Sequence, residues 1–400
     1  MTVTRQLAIE GGTPVRGRLL PYARQDISDA DIRAVAEALR SDWLTTGPRV
    51  PAFETELAEA SGARHAIAFS SGTAALHGAM ASLDLGPGDE ALTTPLTFVA
   101  TANAALYVGA VPRFADVDPG TLLLDPAAAA AAVTPRTRVI VPVDYAGQPV
   151  DYDALREVAA AAPSGPLPIL ADAAHSLGAT FQGRRVGTLA DLTVLSLHPA
   201  KIMTTGEGGA VLTDDDDRAD RLRRFRNHGI ATELAARRDW TYAAVELGFN
   251  YRLTDVMAAL GSSQLRRIDT FLAARRRLAA RYTAALAGHW AVDLQVVAPG
   301  VEPAWHLFVV QLRLDRLRVD RGSVYHAMRA EGIGVNVHYI PVHHHPLYRA
   351  RFSELGGRFP VAEAAYERLL TLPLFASMTD SDVDDVVAAL DKVAEAYRAG

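Results

Sequence analysis

The chain has 400 residues, 49% of them apolar, which suits one large and one smaller domain and argues against a disordered chain. A net charge of −6 offers no basic surface for nucleic acid or an anionic membrane, and the absence of cysteine rules out disulfides, thiolate metal sites and cysteine nucleophiles. No apolar run approaches the ~18 residues of a membrane span, and residues 1–11 lack the basic and apolar regions of a signal peptide, so the cytoplasm is the expected location.

In chain order, residues 1–27 read as an irregular arm punctuated by Gly11, Gly12, Pro14 and Pro21. Ser28 followed by Asp31 makes a capping-box pattern, and the helix it opens gathers Ile32, Val35, Ala36 and Leu39 on one face. Trp43-Leu-Thr-Thr-Gly-Pro48 breaks it, and a second helix follows at about 50–60. Strands and helices then alternate. Strands are expected at 66–69, 91–94, 111–114, 139–143 and 167–170, with helices from 74, at 98–107, from 126 and at 152–161. Strands that are apolar along their whole length belong in a sheet covered on both faces, so the expected class is α/β with a mostly parallel, doubly wound sheet.

A further strand at 192–197 runs into Lys201, a glycine-rich turn and another strand at 210–212. Asp214 to Asp217 cap a basic helix at 218–226, acid first and base later as the helix dipole favours. One long helix is expected over 254–286, then a Pro/Gly-containing loop at 288–303. The expected division is an arm (1–27), a large domain (28–290) and a small C-terminal α+β domain (291–400). The last has strands near 307–312 and 334–339 and helices near 323–330, 361–370 and 380–399.

Lys201 is the residue around which the chemistry gathers. A lysine between two buried strands is costly unless its amine is used, and desolvation that lowers its pKa frees it to form a Schiff base with an aldehyde; alone, it could equally solvate a turn. Ser70-Ser-Gly-Thr73 lies where a strand enters a helix, a site for a phosphate or a simple N-cap. Asp172 ends a strand, where a parallel sheet places its ligand crevice, and could pair with a cationic ring nitrogen or cap the next turn. His175 could join the same ligand or merely pack. Phe98 could stack on a flat ring, Ser196 could donate to a phosphate, and Asn250 sits in a loop before a helix.

Two patterns are set aside. Gly206-Glu-Gly-Gly209 precedes a strand rather than a helix, so the dinucleotide fingerprint fails. His338, His343, His344 and His345 cluster in a loop marked by Pro341 and Pro346, with no carboxylate at helical ligand spacing, so histidines reaching a substrate are expected rather than a metal site.

Phe69-Ser-Ser-Gly-Thr-Ala-Ala-Leu76, Ala171-Asp-Ala-Ala-His-Ser-Leu-Gly178, Ser196-Leu-His-Pro-Ala-Lys201, Thr204-Thr-Gly-Glu-Gly-Gly209 and Gly248-Phe-Asn-Tyr-Arg-Leu-Thr-Asp255 together resemble the sugar aminotransferases of the DegT/DnrJ/EryC1/StrS family. The likeness covers residues 18–395. It implies the fold-type I (aspartate aminotransferase-like) architecture of enzymes that use pyridoxal 5′-phosphate (PLP). Ser41-Asp-Trp-Leu-Thr-Thr-Gly-Pro48, Thr94-Pro-Leu-Thr-Phe-Val-Ala-Thr-Ala-Asn103 and Val337-His-Tyr-Ile-Pro-Val-His343 are most similar to the branch that aminates C4 of a UDP-4-keto-6-deoxy-hexosamine on the way to pseudaminic acid.

The resemblance implies roles. Lys201 would carry the cofactor and act as base and acid, and Asp172 would keep the ring nitrogen protonated. Phe98 would stack on the ring and His175 would lie near its 3′-oxygen, a position often held by glutamine. Ser71, Gly72, Thr73 and Ser196 would hold the phosphate, joined by Asn250 of a neighbouring subunit, so a homodimer with shared sites is implied. Tyr22, Thr45, Thr46, His338 and Tyr339 match positions expected to touch the nucleotide-sugar. The donor is expected to be L-glutamate, with ping-pong transfer through pyridoxamine phosphate. A dTDP-keto-sugar or ketocyclitol is the alternative acceptor, and a non-enzymatic cofactor-binding regulator the alternative from another class.

Overall fold

The computed structural model describes residues 6–231, 240–352 and 358–400. A four-stranded sheet, in the order His65–Phe69, Gly209–Thr213, Leu192–Ser196, Leu170–Asp172, meets a three-stranded one, Val111–Phe114, Glu90–Thr93, Thr137–Val141. Parallel bridges from Ile140 to Ile169 and from Val143 to Asp172 join them into one continuous sheet. Only Gly209–Thr213 runs against its neighbours; the remaining pairs are parallel.

Why the strands read as unbroken apolar runs is visible in their packing. Side chains alternate between faces along a strand. Val139, Val141, Leu170, Val194 and Val211 enter one core with Met80 and Leu222. Ile140, Ile169, Leu195 and Leu212 enter another with Phe53 and Leu57. Both faces are therefore buried under helices, which favours apolar residues at most strand positions.

A third core holds the C-terminal part together. Val292–Leu294, Phe308–Leu312 and Leu369–Leu372 form an antiparallel sheet packed by Arg321–Ala330 and Asp380–Ala396. The N-terminal arm belongs to this core: Leu7 and Leu20 are buried in it, and Arg16 pairs with Asp382 and Asp385. The helix Ile268–Leu286 spans two cores. Phe271 and Leu272 serve the sheet side, whereas Leu278, Tyr282 and Leu286 serve the C-terminal side.

Four expectations need correction. The helix expected over 254–286 is two, Asp255–Leu265 and Ile268–Leu286. At the junction Arg267 reaches the carbonyl and carboxylate of Asp26, a tertiary anchor that no local Pro or Gly announces. The helix expected over 361–370 stops at Arg368, and Leu369–Leu372 becomes a strand because it pairs with Phe308–Leu312. Residues 334–339 form no ladder; Asn336 makes a single bridge to Thr371, and the segment runs on to the cavity described below. Finally, the helix Asp29–Leu39 has the expected capping box, but Ile32 and Leu39 of its apolar face are each 58% exposed. It packs instead through buried Asp31, which accepts from Gln264 Nε2 at 2.9 Å.

Candidate active site

The carboxyl ends of the parallel strands open into a cavity of about 520 Å³, where such sheets place their ligands. Asp172 closes the strand Leu170–Asp172, and Ser196 closes Leu192–Ser196. The turn after His65–Phe69 supplies Ser71, Gly72 and Thr73 at the start of the helix Gly72–Ser82. Phe98 caps the helix Val99–Tyr107. Lys201 rises from the loop between the strands ending at Ser196 and starting at Gly209. From the C-terminal part come His306, Asn336, His338 and Tyr339, and from the arm comes Tyr22; all line this cavity.

Close approach explains the glycines. A Cβ on Gly209 would lie 2.6 Å from the Gly72 nitrogen and from the Ser71 carbonyl carbon and oxygen, and one on Gly72 would lie 3.1 Å from the Ser196 Cβ. Only glycine lets the helix start sit against the strand ends. Ser71 Oγ accepts from the Ala74 nitrogen at 3.1 Å, so Ser71 caps this helix. The remaining N–H groups of this helix start and its dipole favour an anion there.

Electrostatics separates two roles. Burial drives the Lys201 ammonium down to about 8, against the opposing pull of Asp172. The same burial raises Asp172, against a hydrogen bond from Thr101 Oγ1 at 2.6 Å, another from the Ala174 nitrogen at 3.2 Å and the charge of Lys201. Burial also keeps His175 and His306 neutral, well below the usual imidazole range, and brings His338 to about 3. His175 Nε2 meets the Tyr339 hydroxyl at 3.0 Å. The Nδ1 atoms of His175 and His306 are buried without a hydrogen-bond partner among the described residues, although their rings stand 4.3 Å apart. Phe98 is 56% exposed, an aromatic face left open.

These residues fit PLP. A partly neutral amine, a buried carboxyl, an open aromatic face, unpaired imidazole nitrogens and a glycine-lined helix start match an aldehyde, a ring nitrogen, a flat ring, a ring hydroxyl and a phosphate.

Tyr22, Ser71, Gly72, Thr73, Phe98, Asp172, His175, Ser196, Lys201, His338 and Tyr339 thus share one cavity. Thr45, Thr46 and Asn250 do not line it and are exposed. Thr45 bridges to Thr254, and Asn250 to Asn227. His306, Asn336, Glu207 and Thr101 belong to the site without having been expected there. The first three line the cavity, and Thr101 stands behind Asp172. Thr101 carried a usable signal, since three residues after Phe98 places it on the same helix face. His306, after Trp305 and before an apolar strand, carried none.

Asp144 lies fully buried behind the site, holding hydrogen bonds from Ser176 Oγ at 2.6 Å, Tyr152 Oη at 2.9 Å and the Val150 nitrogen at 3.1 Å. Burial still pushes its carboxyl up to about 7 from 3.8. A raised folded-state pKa gives stability that is complete below the unfolded value and is lost as pH rises through the folded value. Wild type should therefore lose stability relative to Asp144→Asn between about pH 4 and pH 7, by at most roughly 4 kcal/mol. Urea midpoints across that range test this; a pH-independent difference would count against it.

The sheet and the cavity define a fold-type I, PLP-dependent aminotransferase. The chain belongs to the DegT/DnrJ/EryC1/StrS aminotransferase family, whose profile matches residues 25–391. It is 41% identical over 380 residues to the spore coat polysaccharide biosynthesis protein SpsC of Bacillus subtilis (strain 168), covering 94% of this chain and 97% of that protein. The putative sugar aminotransferase Spr1654 from Streptococcus pneumoniae, in its pyridoxamine phosphate (PMP) form, superposes with a TM-score of 0.89 at 30% identity, over 94% of this chain and 99% of that one. Helicobacter pylori PseC, an aminotransferase involved in the biosynthesis of pseudoaminic acid, superposes with a TM-score of 0.89 at 29% identity, over 95% and 100% of the two chains. The chain is a PLP-dependent aminotransferase of that family. Among the described residues, no helix is long and apolar enough to cross a membrane.

Proposed function

We propose that this enzyme moves an amino group from L-glutamate to the C4 ketone of a UDP-linked 4-keto-6-deoxy-hexosamine, in two half-reactions sharing one site. The observation that carries the reading is the joint exposure of Lys201 and Asp172 to one cavity, with residues resembling the pseudaminic acid branch around its mouth. PLP bound there supplies an electron sink and carries the amino group between donor and acceptor.

The chain's residues divide the work. Lys201, with a pKa of about 8, exists in both protonation states near neutral pH, so it can take a proton from one carbon and return it to another. Asp172 holds a proton on the ring nitrogen, positioned by Thr101 and the Ala174 nitrogen. Ser71, Gly72, Thr73 and Ser196 hold the phosphate, Phe98 stacks, and His175 hydrogen-bonds the ring oxygen. Tyr22, His338 and Tyr339 face the sugar. Thr45, Thr46 and Asn250, exposed in one chain, serve the site of a second copy in a cytoplasmic homodimer.

A panel of UDP- and dTDP-linked 4-keto-sugars and a ketocyclitol, assayed with glutamate by 2-oxoglutarate release, tests the reading. UDP-4-keto-6-deoxy-hexosamine should show the highest kcat/KM, by at least about tenfold. A dTDP sugar or a ketocyclitol turning over faster would replace the acceptor, and no amination of any of them would overturn the reading.

A further inference from the structure

We propose that His343, His344 and Glu363 form a binding site for a divalent transition-metal ion of the Zn²⁺ type, outside the catalytic cavity. The histidines end the turn Val342–His344, and Glu363 lies on the helix Pro360–Arg368. Helical spacing therefore hides the set: the carboxylate comes from another element, twenty residues on.

The three side chains converge. His343 Nε2 is 2.8 Å from Glu363 Oε1, and His344 Nε2 is 3.8 Å from the same oxygen. One ligand atom from each residue lies within 4.8 Å of the others. Bonds of about 2.0–2.1 Å in a tetrahedral site set its ligand atoms about 3.3 Å apart, so small side-chain shifts complete it. The imidazole rings are 4.4 Å apart and inclined at 66°, the edge of one toward the face of the other. Hydrogen bonding accounts for His343 but leaves His344 over, since 3.8 Å is too long for one.

The ligands are held in place. The Val342 nitrogen donates to the Pro95 carbonyl at 2.9 Å, and His343 is 3% exposed. Two imidazoles and one carboxylate suit Zn²⁺, and the partly exposed His344 side leaves room for water as a fourth ligand. His343 Nδ1 is buried with no hydrogen-bond partner among the described residues. Lacking that outer support lowers affinity by about ten- to a hundredfold relative to a fully supported site. Bound there, the ion staples the segment that carries His338 and Tyr339 to the helix Pro360–Arg368.

Isothermal titration of Zn²⁺ into tag-free holoenzyme tests the site. Saturable binding of one ion per chain is expected, weakened at least tenfold by His344→Ala and by Glu363→Gln. Glu363→Gln keeps the shape of the side chain and serves as the second variant should His344→Ala fold poorly. No saturable binding in wild type, or binding undiminished in the folded variants, overturns the proposal.

Discussion

Replacing Lys201 by alanine is expected to leave the chain folded while lowering turnover by at least about 10⁴-fold, the upper range for a lost general acid–base group. The substitution removes the one lysine of the cavity lining, and the neighbouring imidazoles sit too low in pKa to replace it as a proton carrier near neutral pH. Borohydride should bleach a band near ~420 nm in wild type and leave the cofactor covalently attached, and should attach none to the variant.

Stability should move the other way. A base held at about 8, from 10.5 in the unfolded chain, penalises folding while the unfolded amine is protonated and the folded one is not, or is held charged against burial. The penalty is full below about pH 8 and gone above about pH 10.5. It is at most ~3 kcal/mol, and less because the amine faces the cavity. Cofactor-free Lys201→Ala should therefore melt above cofactor-free wild type at pH 7, with the gap closing as pH approaches 10.5. Near-wild-type turnover in the purified variant would remove Lys201 from the mechanism.

Asp172→Asn is expected to fold and to lose about 10²–10³-fold in kcat, the scale of removing one preorganised electrostatic group. An amide is nearly the same size, so packing survives. Its oxygen can keep the Ala174 N–H while its nitrogen donates to Thr101 Oγ1, whose own proton turns to the Phe98 carbonyl, so both contacts survive, that to Thr101 in reversed polarity. More importantly, the charge that holds a proton on a ring nitrogen disappears. The effect should fall on kcat rather than on sugar KM, because Asp172 is 6% exposed at the cavity floor. A variant within twofold of wild type would show that the acid only caps its turn.

How much of this was legible beforehand follows from which interactions are local. Chain-order alternation of apolar strands and helices exposed the doubly wound sheet, because a strand buried on both faces has no polar alternation to hide it. The cap at Ser28 was readable, since its partner Asp31 lies three residues away. The apolar face of the same helix misled, because Ile32 and Leu39 stay exposed in the single chain. Leu369–Leu372 misled differently: a short apolar run fits helix or strand, and its partner lies some 60 residues earlier. The split at Arg267 had no signal at all, being set by Asp26 across the fold.

The residue types of the site could be read from the sequence, as could the order in which they occur, because a lysine, an acid and a glycine-rich helix start each carry their chemistry locally. Their gathering could not. Thr101 behind Asp172, His306 against His175 and the arm's Tyr22 at the cavity wall depend on separate strands ending at one edge of the sheet. The pKa shifts depend on the same gathering, because burial is a property of the folded surroundings and not of a residue's neighbours in sequence.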